Sequence, residues 1–115
     1  MSTERLPQVN QLIKKELSRI MLRGADFPEG VLVTLTRVET SANLIQTKAY
    51  ISVMPQEMSR DVLKTLRGLV YEFQQKLNSR LKMRPVPKII FMEEKQTAEA
   101  GRIEELLEEI HTKKS

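Results

Sequence analysis

Cysteine is absent from the chain, which excludes disulfides, thiolate nucleophiles, iron–sulfur clusters and thiolate zinc sites. The single histidine, His111, leaves no histidine cluster for a metal and argues against a Ser-His-Asp triad. Aromatic residues make up only 4% of the 115 positions (Phe27, Tyr50, Tyr71, Phe73 and Phe91) and tryptophan is missing. That is too little for the stacking platforms on which single-strand nucleic-acid binders rely. No apolar run approaches the roughly 20 residues needed to span a bilayer. The opening MSTERLPQVN lacks the apolar stretch of a secretory signal. A cytoplasmic single-domain protein is expected, a monomer that needs no cofactor, metal or membrane.

What the chain does have is an uneven charge. Residues 1–90 carry 15 Lys and Arg against 8 Asp and Glu, whereas residues 91–115 carry 4 against 7. A basic body with an acidic tail suits a polyanion as partner for the body.

Hydrophobic periodicity places the elements. Residues 6–22 read as a helix with Pro7 at its start and Val9, Leu12, Ile13, Leu17, Ile20 and Met21 on one face. Gly24 is the expected C-cap. VLVTLTRV (31–38) is a β-branched strand, and IQTKAYISV (45–53) alternates strictly, with Ile45, Thr47, Ala49, Ile51 and Val53 on the face that meets the helices. The turn-rich ETSANL between them predicts an antiparallel hairpin. Ser59 is the expected N-cap of a long helix running to about Met83, with Val62, Leu66, Leu69, Val70, Phe73, Leu77 and Leu81 as its buried stripe. A continuous helix of that length suits so small a domain poorly, so a bend is expected in it, and Gly68 is the residue that weakens the helix. Pro85 and Pro87 stop the helix, and KIIFM (88–92) is a third strand. A polar linker, EEKQTAEAG, leads to a short tail helix at 101–111 with Ile103, Leu106, Leu107 and Ile110 on one face. The fold class is α+β, a three-stranded sheet with helices on one face. A domain over 1–92 is followed by an acidic linker and tail helix over 93–115.

No phosphate-cradling glycine loop is present, and the Glu93-Glu94 pair reads as a solvated strand end. The informative residues are basic. Arg80, Lys82, Arg84 and Lys88 cluster in nine positions, Lys64 and Arg67 lie on the helix before them, and Lys14, Lys15, Arg19 and Arg23 line the first helix. Long cations on a rigid scaffold are what phosphate binding requires, so these ten are the candidate RNA-binding residues. A DNA- or RNA-binding regulator would use the same cations, and a small enzyme would need a catalytic constellation that the sequence does not offer.

Several stretches, taken in order, resemble one known family, bacterial ribosome-binding factor A. RLPQVNQLIKKELSRIM is similar to its opening helix, and VTLTRVETSANLIQTKAYISV to its hairpin, with Asn43 at a turn position where the family commonly has Asp. LNSRLKMRPVPKIIF resembles its basic helix end, Val-Pro and third strand, and RIEELLEEI its closing element. The family's Ala-x-Gly kink falls on Leu69-Val70-Tyr71, so the resemblance places the expected break near Gly68 to Tyr71. The resemblance implies a KH-like domain of type II (α-β-β-α-β). It also implies a non-enzymatic factor that binds the small (30S) ribosomal subunit and its 16S rRNA during late maturation. Processing of the rRNA 5′ end and growth in the cold are part of what it implies.

Overall fold

Thr47, Ala49, Ile51 and Val53 are all buried, while Gln46, Lys48, Tyr50 and Ser52 between them are partly exposed. The alternation therefore sets one face of a strand into the core, as its period of two requires. In the computed structural model, which describes residues 5–95, this strand is β2 (Gln46–Met54) and lies in the middle of the sheet. On one side it pairs antiparallel with β1 (Leu32–Thr40), and on the other it pairs parallel with β3 (Lys88–Glu93). The tail helix expected at 101–111, with His111, lies outside the described residues.

The hairpin joining β1 to β2 turns on two side chains. Asn43 Oδ1 accepts hydrogen bonds from Ser41 Oγ (2.6 Å) and from the Ile45 amide (3.1 Å). Asn43 thus serves the turn, while Leu44 takes the left-handed conformation at φ 62°. In β1 the register shifts between Leu35 and Arg37, leaving Thr36 as the extra residue of a bulge. The buried hydroxyls of Thr40 and Thr47 satisfy each other at 3.0 Å.

The described helices all lie on the face that carries Ala49 and Ile51. The first, α1 (Arg5–Gly24), buries Ile13, Leu17 and Ile20. Its end departs from expectation, because Gly24 does not adopt a positive φ and makes no left-handed cap. Gly24 instead permits close packing, since a Cβ built there would stand 2.9 Å from Phe73 Cε1.

The long helix divides in two. A 3-10 turn (Gln56–Met58) leads into α2 (Ser59–Gly68), and α3 (Val70–Arg80) follows. Ser59 is buried and gives no side-chain cap. The break falls at Leu69 (φ −102°, ψ 1°), inside the expected stretch. Gly68 itself has no positive φ and open space where a Cβ would be, so the bend does not depend on a glycine-only conformation. The break lets one hydrophobic stripe serve two surfaces. Val62 and Leu66 of α2 bury against β2 and β3, whereas Phe73 and Leu77 of α3 bury between α1 and β3. Phe73 meets Phe91 of β3 edge-on, with ring centroids 6.3 Å apart. Beyond α3, Leu81 turns extended and the chain enters the Pro85–Pro87 segment.

Candidate nucleic-acid interface

The ten predicted cations all lie at exposed positions, but the fold does not gather them into one patch. On α1, the buried stripe of Ile13, Leu17 and Ile20 divides the polar surface into two flanks. Arg19 and Arg23 stand on the flank facing α3, and Lys14 lies on the opposite flank with Ser18, toward β1. Lys15 stands on the outer surface between them.

At the seam of α1 and α3, Glu16 organises the charge. Its carboxylate accepts a hydrogen bond from Arg80 Nη1 (3.3 Å) and forms an ion pair with Arg19 (4.0 Å). This couples α1 to the last turn of α3 and offsets part of the local positive charge. Lys76, which the sequence reading passed over, belongs to the same seam, with its ammonium 3.7 Å from a Cβ built on Gly24. Arg19, Arg23, Lys76 and Arg80 thus form one cationic ridge.

A second row runs along α2. Arg60, Lys64 and Arg67 are spaced by four and three, so they share the face turned away from the core. Arg60 was not among the predicted residues, although its spacing from Lys64 and Arg67 carries the signal. Arg67 has a structural task as well. Its Nη2 donates to the Phe91 carbonyl at 2.9 Å, on the free edge of β3. Gln74 continues that edge from α3, accepting from the Ile89 amide (2.8 Å) and donating to the Pro87 carbonyl (3.1 Å). Side chains from both sides of the helix break therefore occupy backbone groups that an edge strand otherwise offers to another chain.

The predicted cluster at the end of α3 separates. Lys82 is exposed beside the helix layer. Arg84 folds back on its own turn, donating from Nη1 to the carbonyls of Leu81 (2.7 Å) and Met83 (2.6 Å). Lys88 precedes the inward-facing Ile89, so strand alternation puts it on the open sheet face, away from the helices.

That open face carries a cluster that sequence reading did not find. The Arg37 guanidinium lies 3.8 Å from the centroid of the Tyr50 ring, donates to Glu94 (2.9 Å) and also pairs with Glu39. Glu94 accepts a further bond from Thr36 Oγ1 at 2.7 Å. Hydrogen bonding from Arg37, aided by Thr36 and opposed by burial, holds the Glu94 carboxyl below its ordinary range, and the same contact raises Arg37. Glu94 is thus a fastened residue, not the solvated strand end that was expected. Among the described residues, no group of three or more His, Cys, Asp or Glu is placed to hold a metal ion. No described helix is long and apolar enough to cross a membrane.

The described residues thus form an α+β domain with a mixed three-stranded sheet, a broken helical segment and cationic helix faces. Residues 5–107 match the family described as ribosome-binding factor A, and the chain belongs to that family. A Brevibacillus brevis ribosome-binding factor A is 32% identical over 115 residues, covering 97% of this chain and 93% of that one. The solution structure of a Thermotoga maritima protein described as a putative ribosome binding factor A superposes with a TM-score of 0.69 at 24% identity, over 85% of this chain and 94% of that one. The Thermus thermophilus ribosome binding factor A, as fitted into a cryo-EM map of a 30S complex, superposes with a TM-score of 0.60 at 20% identity, over 72% and 88% of the two chains.

Proposed function

We propose that this protein acts in the cytoplasm as a non-enzymatic maturation factor of the small ribosomal subunit, binding 16S rRNA as a monomer late in assembly and assisting the processing of its 5′ end. Membership of the ribosome-binding factor A family carries this reading, supported by the Thermus relative fitted into a 30S complex. The α1–α3 ridge and the α2 row supply phosphate contacts, which dominate affinity for nucleic acid and position the protein without reading bases. Lys82 extends that surface, and Lys14, Lys15, Arg84 and Lys88 lie beyond it. Binding energy is spent on one rRNA conformation, and release follows when the mature subunit no longer offers it.

Co-sedimentation with purified small subunits over a salt series tests the reading. Arg23, Lys64 and Lys82 are exposed, and the structure gives their side chains no bond to another described residue, so replacing all three by Glu spares the fold. The expected result is binding that falls steeply with salt and is lost in the triple variant at unchanged melting temperature. Full, salt-insensitive binding by the triple variant refutes the phosphate surface. Preference for a short duplex, with no subunit binding, refutes the ribosomal role and points to a regulator.

A further inference from the structure

Among the exposed large apolar residues, two leucines share one site, Leu22 at 84% exposure and Leu32 at 64%. They are neighbours, on the walls of one groove of about 390 Å³ between the end of α1 and the outer edge of β1, with Met21, Phe27, Val31 and Val33 also lining it. A groove with apolar walls and two exposed leucines offers a place where a row of apolar side chains can dock.

We propose that the groove is the docking site of the chain's own C-terminal segment, with residues 101–111 lying along it as a helix. Ile103, Leu106, Leu107 and Ile110 recur at three and four and form an apolar stripe in the sequence beyond the described residues.

The place where the described chain ends supports this occupant. The Glu94 amide donates to the Ile51 carbonyl (2.8 Å), and Ile51 is the register partner of Leu35, which also lines the groove. The Glu94 side chain reaches across the open face to Thr36 and Arg37 of β1. The chain therefore departs level with the groove, two strand spacings from it, which is about 10 Å. Residues 96–100 span up to about 17 Å when extended, enough to deliver the helix.

Charge decides how it lies. Glu104, Glu105, Glu108 and Glu109 flank the stripe. Lys14 and Lys15 stand about two turns before Leu22 on α1, whereas Asp26 and Glu29 occupy the loop at the other wall. The acidic flank accordingly faces α1. The segment then covers both leucines and partly neutralises two of the predicted RNA-binding lysines.

The full chain contains no cysteine, so Thr112→Cys carries a single nitroxide just past the stripe. With the ¹⁵N-labelled chain, the expected result is at least a several-fold loss of amide intensity at Leu22, Phe27 and Leu32, with Lys48 and Gln74 spared. Leu106→Glu with Leu107→Glu restores the intensities. Absent or uniform broadening, or broadening centred on the open sheet face, overturns the proposal. Equal broadening when ¹⁵N chain without nitroxide is mixed with unlabelled nitroxide-bearing chain also overturns it, because a second copy would then be the occupant.

Discussion

Gly24 and Phe73 meet so closely that a single added methyl group would stand 2.9 Å from the ring carbon Cε1. Phe73 is fully buried and packs edge-on against Phe91, so its ring has nowhere to retreat. Gly24→Ala forces α1 and α3 apart and is expected to cost about 1–3 kcal/mol, the usual range for overpacking. Chemical denaturation measures this, and Phe73→Leu in the same chain should recover part of the loss. A neutral or stabilising Gly24→Ala would show that the helices adjust freely.

Gly68→Ala has the opposite sign. Nothing lies within 4 Å of the new methyl, and the backbone there is not in the left-handed region. The substitution should stabilise α2 by up to about 1 kcal/mol, through helix propensity and a less flexible unfolded chain. Subunit affinity should not change, because the bend resides in Leu69. A melting temperature lowered by the substitution contradicts this account.

Lys64 and Arg67 share a helix face but should respond differently. Lys64→Gln removes only a solvated charge, so it weakens subunit binding without changing the denaturation midpoint. Arg67→Gln also strips a donor from the Phe91 carbonyl and is expected to cost roughly 1 kcal/mol of stability besides affinity. Measuring midpoint and co-sedimentation together separates the two roles. Identical behaviour of the two variants would remove the structural one.

Acid should loosen the open face through Glu94. Its carboxyl is lowered in the folded protein, so its contribution is complete above the ordinary carboxylate range and is lost as pH falls toward the lowered value. The pair is partly exposed, which limits the effect to no more than about 1 kcal/mol. Glu94→Gln should flatten the acid side of the stability profile and leave the neutral and alkaline sides parallel to the parent. Arg37 stays charged throughout and adds no slope of its own near neutrality.

Elements whose burial follows a regular period were legible in the sequence. From Thr47 to Val53, β2 was readable because every second side chain enters the core, whereas Ile45, expected on the same face, precedes the strand and is exposed. The buried stripes of α1 and of the long helical segment followed from three-and-four spacing, except that Leu12 is exposed, and the length argument called for a break that the family resemblance placed to within a few residues. Gly24 was misread because a glycine at a helix end suggests a left-handed cap, whereas its reason lies 49 positions away in Phe73. The candidate interface was legible as a set of cations and not as an arrangement. The engagement of Arg80 with Glu16, of Arg67 with the Phe91 carbonyl and of Arg84 with its own turn depends on tertiary placement. Arg37 and Glu94 lie 57 positions apart, so no local pattern joins them.

The order β1-β2-β3 has a consequence for how the chain is made. β1 and β2 are joined by a short turn and can pair as soon as both are synthesised, but Gln46 of β2 waits for Lys88, 42 positions later, to fill its other side. Until then the central strand is itself an edge, exposed to any neighbouring nascent chain. Arg67 and Gln74 are translated before the strand they cover. The last strand to arrive therefore finds its protection in place and closes the sheet and its new border in one event.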